Sequence, residues 1–298
     1  MREGSGDGLT LRGRRFVWGQ RTYIMGIVNV TPDSFSGDGL ADSPDTAVAL
    51  AASMADEGAD LVDVGGESTR PGSEPISAKE ERDRILPVIE GIRRESDLPV
   101  SVDTYKAEVA AAALEAGADL VNDVWGLRMD PQMASLVAER DVPLILMHNR
   151  SEPKNAAQSE RLGGRYVGIA YGDLMGDIQR ELAQSVGVAR EAGVRSDRIV
   201  VDPGIGFGKT VEQNLELLDR LAEIRSLGHP VLVGPSRKSF IGYTLDLSPE
   251  DRLEGSAAAV ALAIDRGADL VRVHDVRPMV RVARMTDAIV RRKMEVTS

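Results

Sequence analysis

The sequence predicts a single-domain (β/α)8 barrel of the TIM type, and three observations support this fold class. Eight short runs of apolar, largely β-branched residues alternate with eight segments of helical periodicity along residues 23–292. The runs are mostly apolar, as expected of parallel strands that are buried on both faces. The unit Gly-Ala-Asp-Leu-Val occurs three times, at residues 58–62, 117–121 and 267–271, each time after an Ala-rich stretch.

The repeated unit is typical of a helix that ends at a glycine and leads into a strand. Glycine adopts the positive φ that closes a helix at little cost, and the residues after it are those of a buried strand. Convergence on a good helix stop is the alternative explanation of the repeat. For the whole chain, a doubly wound open sheet is the alternative to a barrel, and the count of eight strands favours closure.

The amino-terminal segment is expected to form a β-hairpin. Residues 9–20 alternate apolar and basic side chains around Arg12-Gly13-Arg14, and such a hairpin could close the amino-terminal end of the barrel. Residues 1–8 are polar and Gly-rich, which predicts a disordered tail. No linker or second domain is visible in the sequence, so we interpret residues 1–298 as one domain.

The other elements follow from the apolar runs and the helical periods between them. Residues 149–164 are polar and predict a loop. The expected strands are residues 23–28, 61–64, 100–102, 120–122, 144–147, 199–201, 231–233 and 270–273. The expected helices are residues 44–57, 78–94, 106–116, 131–139, 172–192, 211–224, 249–266 and 277–292.

Composition and charge exclude several classes of function. The chain has 36 Lys and Arg against 47 Asp and Glu, a net charge of −11, which argues against nucleic acid as a partner because a phosphate backbone requires a basic face. No apolar run approaches the length of about 18 residues that a membrane span requires, and no signal peptide is recognisable, so we expect a cytoplasmic protein with no membrane partner. With no cysteine and three histidines, any metal is expected to be bound by oxygen.

Polar residues collect at the carboxyl ends of the predicted strands, where the active site of a barrel is built. Taken singly, each of them has an ordinary structural explanation as a helix cap, a turn residue or a solvated charge. Their occurrence after every strand favours a functional site. They are Asn29, Asp63, Asp103, Asn122, Asp123, His148, Asp202, Ser236, Lys238, Arg272 and His274.

One group of these residues suits a flat heterocycle. Asp103, Asn122, Asp202 and Lys238 follow strands three, four, six and seven. Carboxylate acceptors and amide donors match the N–H and C=O edges of such a ring, and a lysine nearby favours the ionised form of a buried carboxylate.

A second group suits an anion. Asn29, Arg70, Arg272 and His274 follow strands one, two and eight, which are neighbours in a closed barrel. They fit a diphosphate, with Mg²⁺ held mainly through phosphate oxygens. Ser236 precedes a helical segment whose backbone N–H groups could receive a carboxylate. A heterocycle pocket beside an anion pocket indicates a transfer reaction with a diphosphate leaving group.

These segments resemble the dihydropteroate synthase family, the pterin-binding barrel enzymes of folate biosynthesis. The similar segments keep the order of the family and extend over about residues 20–290. The resemblance implies condensation of 6-hydroxymethyl-7,8-dihydropterin diphosphate with p-aminobenzoate, with Mg²⁺ as cofactor and a homodimer as the usual assembly. The segments that carry it are residues 25–36, 65–72, 101–103, 122–124, 202–209, 234–240 and 272–276.

The resemblance also implies roles for individual residues. Asn29 is implied as the Mg²⁺ ligand. The implied catalytic residues are Arg70, Asp103, Lys238, Arg272 and His274. The residues implied for dihydropterin diphosphate are Thr69, Asp103, Asn122, Met147, Asp202, Phe207, Lys238, Arg272, Val273 and His274. Those implied for p-aminobenzoate, the pocket in which sulfonamides compete, are Phe35, Thr69, Pro71 and Ser236.

Two segments depart from the family pattern, and two other functions stay open. Residues 37–40 read Gly-Asp-Gly-Leu where Asp-Gly-Gly is usual, and residues 149–164 are unlike the short segment expected after the fifth strand. A pterin-binding paralogue without synthase activity is one alternative. A methyltetrahydrofolate-binding methyltransferase on the same barrel is the other, although such an enzyme has no use for the diphosphate group of Arg272 and His274.

Overall fold

The computed structural model describes residues 8–30, 43–69, 73–151, 156–167 and 170–291. The predicted tail, residues 1–8, lies outside these ranges except for Gly8. In chain order the strands are β1 (Leu9–Leu11), β2 (Arg14–Phe16), β3 (Tyr23–Asn29), β4 (Leu61–Gly65), β5 (Val100–Asp103), β6 (Leu120–Asp123), β7 (Leu144–Met147), β8 (Ala156–Ala157), β9 (Arg165–Tyr166), β10 (Ile199–Asp202), β11 (Leu232–Val233) and β12 (Leu270–Val273).

The helices alternate with the strands. Of those in the described ranges, none has the length and apolar character needed to cross a membrane. Short 3-10 helices occupy Ser196–Arg198, Leu221–Leu227 and Pro249–Asp251. The α-helices are α1 (Pro44–Glu57), α2 (Ala78–Glu95), α3 (Ala107–Glu115), α4 (Met133–Arg140), α5 (Leu174–Glu191), α6 (Val211–Asp219), α7 (Ser239–Leu245), α8 (Leu253–Asp265) and α9 (Val276–Val290).

The parallel sheet closes into the predicted barrel. Its strand order is β10-β7-β6-β5-β4-β3-β12-β11, and a parallel bridge between Val201 and Val231 joins the two ends. The backbone N–H of Val201 donates to the carbonyl of Pro230 at 2.9 Å across this seam. Closure confirms the barrel and rules out the open sheet.

The three repeated units have the same structural role: each ends a helix and connects it to a strand of the barrel. Their glycines Gly58, Gly117 and Gly267 have φ of 104°, 110° and 98°, as a left-handed helix end requires. The aspartate of each unit accepts a backbone N–H near the start of a neighbouring strand and so fixes the register of the two strands. The donors are Ile24 for Asp60 (2.9 Å), Val100 for Asp119 (2.9 Å) and Val231 for Asp269 (3.1 Å).

The amino-terminal hairpin closes one end of the barrel, as predicted. Phe16 packs against Tyr23 with ring centroids 4.7 Å apart and against Trp18 at 6.1 Å. The apolar cluster that it forms with the inward-facing residues of the barrel strands contains Leu9, Leu11, Phe16, Tyr23, Met25, Leu61, Leu120, Ile145, Val200, Leu232 and Leu270. Since side chains alternate along a strand, the residue two positions beyond each of these strand residues also faces inward. At four of those positions the side chain is polar: Asp63, Asn122, Asp202 and Arg272.

Four elements differ from the prediction. The helix expected at 211–224 is divided into α6 and the 3-10 helix Leu221–Leu227. The helix expected at 249–266 is divided into Pro249–Asp251 and α8, and the side chain of Arg252 at the break donates to the carbonyls of Arg237 and Leu247. Helix α7 was expected only as a helical segment without bounds after Ser236, since seven residues are too short for a helical period to appear. The expected loop at 149–164 contains β8, which pairs with β9 as a short antiparallel ladder.

Candidate active site

Four side chains meet in a hydrogen-bonded network at the carboxyl ends of β4, β5, β6 and β12. The Nε of Arg272 donates to Oδ2 of Asp63 at 2.6 Å, and its Nη2 donates to Oδ2 of Asp103 at 2.8 Å. The Nδ2 of Asn122 donates to the same Asp63 oxygen at 2.9 Å. Asp63 is fully buried, so this network fixes a cation, an amide and two carboxylates relative to one another.

Burial and like charge act on the carboxylates of this network. They raise the pKa of Asp103 to about 8, through desolvation first and the neighbouring Asp63 second, and Arg272 opposes this shift. The Oδ1 of Asp63 is buried and has no hydrogen-bond partner among the described residues. An orphaned acceptor of this kind is ready to receive a donor from a ligand.

Asp63 was among the polar residues noted at the strand ends, but no role in the site was predicted for it. The signal that could have identified it is a single carboxylate inside a strand that is otherwise apolar and buried on every residue. Arg272 links the two groups of residues that the sequence predicts. The sequence grouped it with the anion-binding residues, whereas its guanidinium pairs with the carboxylates of the heterocycle group.

Asp202 and Lys238 lie in the adjacent part of the barrel mouth. The Nζ of Lys238 donates to the carbonyl of Ile205 and lies 4.3 Å from the ring centroid of Phe207. Burial lowers the pKa of Lys238 to about 7, while Asp202 opposes that shift. Burial raises the pKa of Asp202, and Lys238 opposes it in turn. Each charge therefore favours the ionised form of the other.

Two glycines of the loop after β10 have positive φ and lie close to neighbouring atoms. Gly204 has φ of 72°, and a Cβ there would lie 1.8 Å from the carbonyl oxygen of His148. A Cβ at Gly206, where φ is 81°, would lie 2.5 Å from Cδ of Lys238. The Nζ of Lys209 is buried and donates to the carbonyls of Gly204 and Phe207 at 2.9 and 3.1 Å. Lys209 thus closes the loop on itself.

Ser236 and His274 connect the two neighbouring loops after β11 and β12. Nδ1 of His274 lies 3.1 Å from the Ser236 hydroxyl, which also accepts the backbone N–H of His274 at 3.2 Å. Beside them, Arg237 donates to both carboxylate oxygens of Asp275 at 2.9 and 2.5 Å. The two loops therefore present a hydroxyl and an imidazole as one unit.

An apolar wall borders the polar groups. Met147 and Phe207 pack with Val124 in a buried cluster, against which Trp125 rests. The structure does not bring Val273 to the site, because its side chain lies in the core that also holds the outward-facing strand residues Val64 and Val102.

The remaining predicted residues lie at the edge of the site or outside the described ranges. Asn29 ends β3 and is paired in register with Gly65. Thr69 is half-buried and follows β4 by four residues. Phe35, Arg70 and Pro71 fall outside the described residues.

The site offers what a bound pterin requires. Asp63, Asp103, Asn122 and Asp202 supply acceptors and an amide for the edges of a flat ring, and the apolar wall supplies a stacking face. Lys238 and Arg272 add two cations next to these carboxylates. Among the described residues, no group of three or more His, Cys, Asp or Glu side chains could hold a metal ion alone.

Comparisons with known proteins agree with this geometry. The family model for pterin binding enzymes matches residues 25–274. The dihydropteroate synthase of Clostridium beijerinckii is 49% identical over 280 residues, which are 94% of this chain and 98% of that protein.

Two solved structures are similar over nearly the whole chain. A dihydropteroate synthase of Clostridium difficile in the presence of pteroic acid has a TM-score of 0.84 and 48% identity, and the match covers 92% of this chain and 99% of that one. The enzyme of Xanthomonas albilineans in complex with 7,8-dihydropteroate has a TM-score of 0.82 and 40% identity, over 95% and 98% of the two chains. The chain belongs to the dihydropteroate synthase family of pterin binding enzymes.

Proposed function

We propose that the protein condenses 6-hydroxymethyl-7,8-dihydropterin diphosphate with p-aminobenzoate to give 7,8-dihydropteroate and diphosphate. The observation that carries this proposal is the network of Arg272 with Asp63, Asp103 and Asn122. It places a cation beside hydrogen-bonding groups that match the N–H and C=O edges of a pterin. The relative from Xanthomonas albilineans that holds 7,8-dihydropteroate supports it. The enzyme is a transferase that acts in folate biosynthesis.

In this proposal the dihydropterin lies between the carboxylates and the apolar wall. Asp103, Asn122 and Asp202 bind its N–H and C=O edges, and the unpaired Oδ1 of Asp63 lies within the same network. Lys238 contributes a cation beside Asp202, and Phe207 contributes a ring face. Met147 completes the wall. The nitrogen-rich ring thus meets acceptors on its edges and apolar groups on its face.

The reaction separates a positive charge on the pterin from the negative charge of the departing diphosphate, and the site has residues that stabilise each of them. The C–O bond to diphosphate breaks, and positive charge develops on the pterin methylene as the amine of p-aminobenzoate forms the new C–N bond and then loses a proton. An ionised Asp103 stabilises the positive charge. Arg272 and His274, with Arg70, bind the departing diphosphate, and a bidentate guanidinium suits its oxygens.

The donor set fits Mg²⁺ bound through substrate phosphates. Asn29 offers an amide oxygen at the end of β3, and the described residues contain no acidic cluster that would form an all-protein metal site. Mg²⁺ usually takes one or two protein oxygens and keeps phosphate and water as its other ligands. When bound, it would neutralise the diphosphate charge, with Asn29 as its protein ligand.

We place p-aminobenzoate at the rim formed by the loops after β4 and β11. Ser236 lies beside His274 at the loop that precedes α7, where its hydroxyl can receive the carboxylate. Thr69 lies on the loop after β4, and we assign Phe35 and Pro71 to the same pocket because the family resemblance implies them there. The amine then faces the pterin methylene, which is the geometry that a direct displacement needs.

A single assay tests the proposed reaction against its alternatives. Purified protein is mixed with dihydropterin diphosphate, p-aminobenzoate and Mg²⁺, and dihydropteroate and diphosphate are measured together. Equal amounts of the two products are expected. Pterin binding without product would indicate a paralogue that lacks synthase activity, and methyl transfer from methyltetrahydrofolate would indicate the methyltransferase.

We also propose a cytoplasmic homodimer. Leu262 of α8 and Met285 and Ile289 of α9 are large apolar residues that are 45%, 64% and 56% exposed. Helices α8 and α9 pack against each other, and we propose that a second copy of the chain covers these exposed apolar residues. Sedimentation at micromolar concentration should give twice the monomer mass, and Met285→Glu should give the monomer.

A further inference from the structure

Part of the segment between β7 and α5, which departs from the family pattern, makes contacts with α7 and the residue after it. Helix α7 begins directly after Lys238. Arg161 donates to the backbone carbonyl of Asp246 at 2.8 Å and pairs with its carboxylate. The hydroxyl of Tyr243 donates to the carbonyl of Gly163 at 3.2 Å. The guanidinium of Arg165 lies 4.7 Å from the ring centroid of Tyr243. We call residues 156–167, which carry these contacts, the docked segment.

Arg252 links the docked segment to the turn that carries Lys238. Its side chain is almost completely buried. One end of the guanidinium donates to the carbonyl of Leu162 in the docked segment at 2.9 Å, and the other donates to the carbonyl of Arg237 at 2.9 Å. A further donation goes to Leu247 at 3.1 Å. All of these partners are backbone carbonyls, so the side chain serves as a bridge between three segments.

The backbone that Arg252 holds is in an unfavourable conformation. Arg237 has φ of 55°, which a residue with a side chain adopts only when its surroundings impose it. Its N–H donates to the Ser256 hydroxyl at 2.9 Å, and its side chain is paired with Asp275. Arg252 fixes the carbonyl of the same residue. The next residue is Lys238, whose direction therefore depends on these contacts.

We propose that Arg252 is a positioning residue for Lys238, and that the docked segment acts on the pterin site through it. This inference rests on the proposed pterin-binding role of Lys238. Arg252 itself need not touch any substrate. The docked segment stabilises one orientation of the guanidinium through Leu162, and the guanidinium in turn holds Arg237 and the direction of the lysine.

The test reads the environment of Lys238 without any substrate. Purified protein is treated with a trace of acetylating reagent over a range of pH, and the labelling rate of each lysine is followed by mass spectrometry. Lys238 is surrounded by Asp202, Arg272 and Asp103, and burial lowers its pKa. Loosening the turn should admit water. Lys209, buried in the loop after β10, and the exposed Lys79 serve as internal references.

Two variants separate the bridge from the docked segment. Arg252→Lys keeps the charge but loses the planar guanidinium, whose two ends donate to carbonyls of separate segments, and it should raise the labelling rate of Lys238 about tenfold. The double variant Arg161→Ala/Tyr243→Phe leaves Arg252 in place and should raise it about threefold. Arg140→Lys, which alters an exposed ion pair on α4, is the matched control and should change nothing.

Labelling of Lys238 that stays at the wild-type rate in both variants would overturn the proposal. An equal rise at Lys209 would also overturn it, because it would mean general loosening of the fold. If Arg252→Lys does not fold, the double variant alone decides. In the folded variants the Kd of dihydropterin diphosphate should rise in parallel with the labelling. If the wild type binds no pterin, the proposed function fails, while the labelling still reports on the bridge.

Discussion

The Nη2 atom of Arg272 lies 2.8 Å from Oδ2 of Asp103, so the guanidinium and the carboxylate at the centre of the barrel mouth are already paired before any ligand binds. Asp63 holds Nε of the same guanidinium. One cation therefore serves two carboxylates, and burial, together with the like charge of Asp63, still raises the pKa of Asp103 against the opposing effect of Arg272. A substrate that brings an anion to Arg272 competes for this cation, which couples diphosphate binding to the charge on Asp103.

Replacement of Arg272 tests its two-pronged contact. Arg272→Lys keeps the charge but cannot donate in parallel to two carboxylates or to a diphosphate. We expect the affinity for dihydropterin diphosphate to fall by about 10- to 100-fold, measured by calorimetry. Arg220→Lys, at an exposed position after α6, is the control. Unchanged affinity in Arg272→Lys would remove this residue from the diphosphate site.

Replacement of Asp103 isolates its charge. Asp103→Asn keeps the size of the side chain and removes the negative charge, so the single-turnover rate should fall by about 10²–10³-fold. Dihydropterin binding should weaken much less, because the ground state carries little of the developing positive charge. Asp83→Asn, exposed on α2, is the matched control. A variant with weak pterin binding but a normal rate would show that Asp103 is only a hydrogen-bond acceptor.

The pH dependence follows from two shifted groups. Asp103, with its pKa raised to about 8, is ionised only above that pH, and Lys238, with its pKa lowered to about 7, is protonated only below that pH. The fraction of enzyme with both charges peaks between these values. We therefore expect kcat/KM to form a narrow bell that falls about tenfold per pH unit on either side.

The Asp103→Asn variant tests which residue causes the fall of kcat/KM on each side of the pH optimum. It should lose the fall on the acidic side and keep the fall on the alkaline side, since only Lys238 still titrates. A profile of the wild type that stays flat from pH 5.5 to 9, or an unchanged acidic limb in the variant, would contradict the assignment.

Two glycines give a matched pair for stability. At Gly204, φ is 72° and a Cβ would lie 1.8 Å from a carbonyl oxygen, so Gly204→Ala should lower the free energy of unfolding by more than about 3 kcal/mol. At Gly172 no atom of the described residues lies within 4 Å of the added Cβ, so Gly172→Ala should stay within about 0.5 kcal/mol of wild type. Urea unfolding measures both. Equal losses would show that contact with His148 does not decide the residue at 204.

The barrel could be predicted because its signals are local. A glycine at a helix end and an apolar run after it are visible within five residues, and the three repeated units indeed lead into β4, β6 and β12. The roles of Asp60, Asp119 and Asp269 were not visible. Each accepts an N–H from a strand that is distant in sequence, such as Val231 for Asp269, and no local pattern specifies that partner.

The candidate site could be predicted as a set of residues but not as a network. Strand-end position alone gave Asp103, Asn122, Asp202 and Lys238. It could not give the pairing of Arg272 with Asp63, which are 209 residues apart and meet only because the barrel closes. The contacts of Arg252 could not be predicted either. Its partners are backbone carbonyls, which no particular residue type in the sequence identifies.

The hairpin that seals the amino-terminal end also gives the protein two separate optical reporters. The chain has two tryptophans. Trp18 packs beside Tyr23 in the sealed end, whereas Trp125 rests on the apolar wall with Met147 and Phe207. In a Trp18→Phe protein only Trp125 remains, so its fluorescence should report ligand binding at the mouth of the barrel. In a Trp125→Phe protein only Trp18 remains, so its fluorescence should report unfolding of the amino-terminal hairpin. The emission of Trp18, which lies away from the mouth, then serves as a reference for the quenching of Trp125 by a bound pterin.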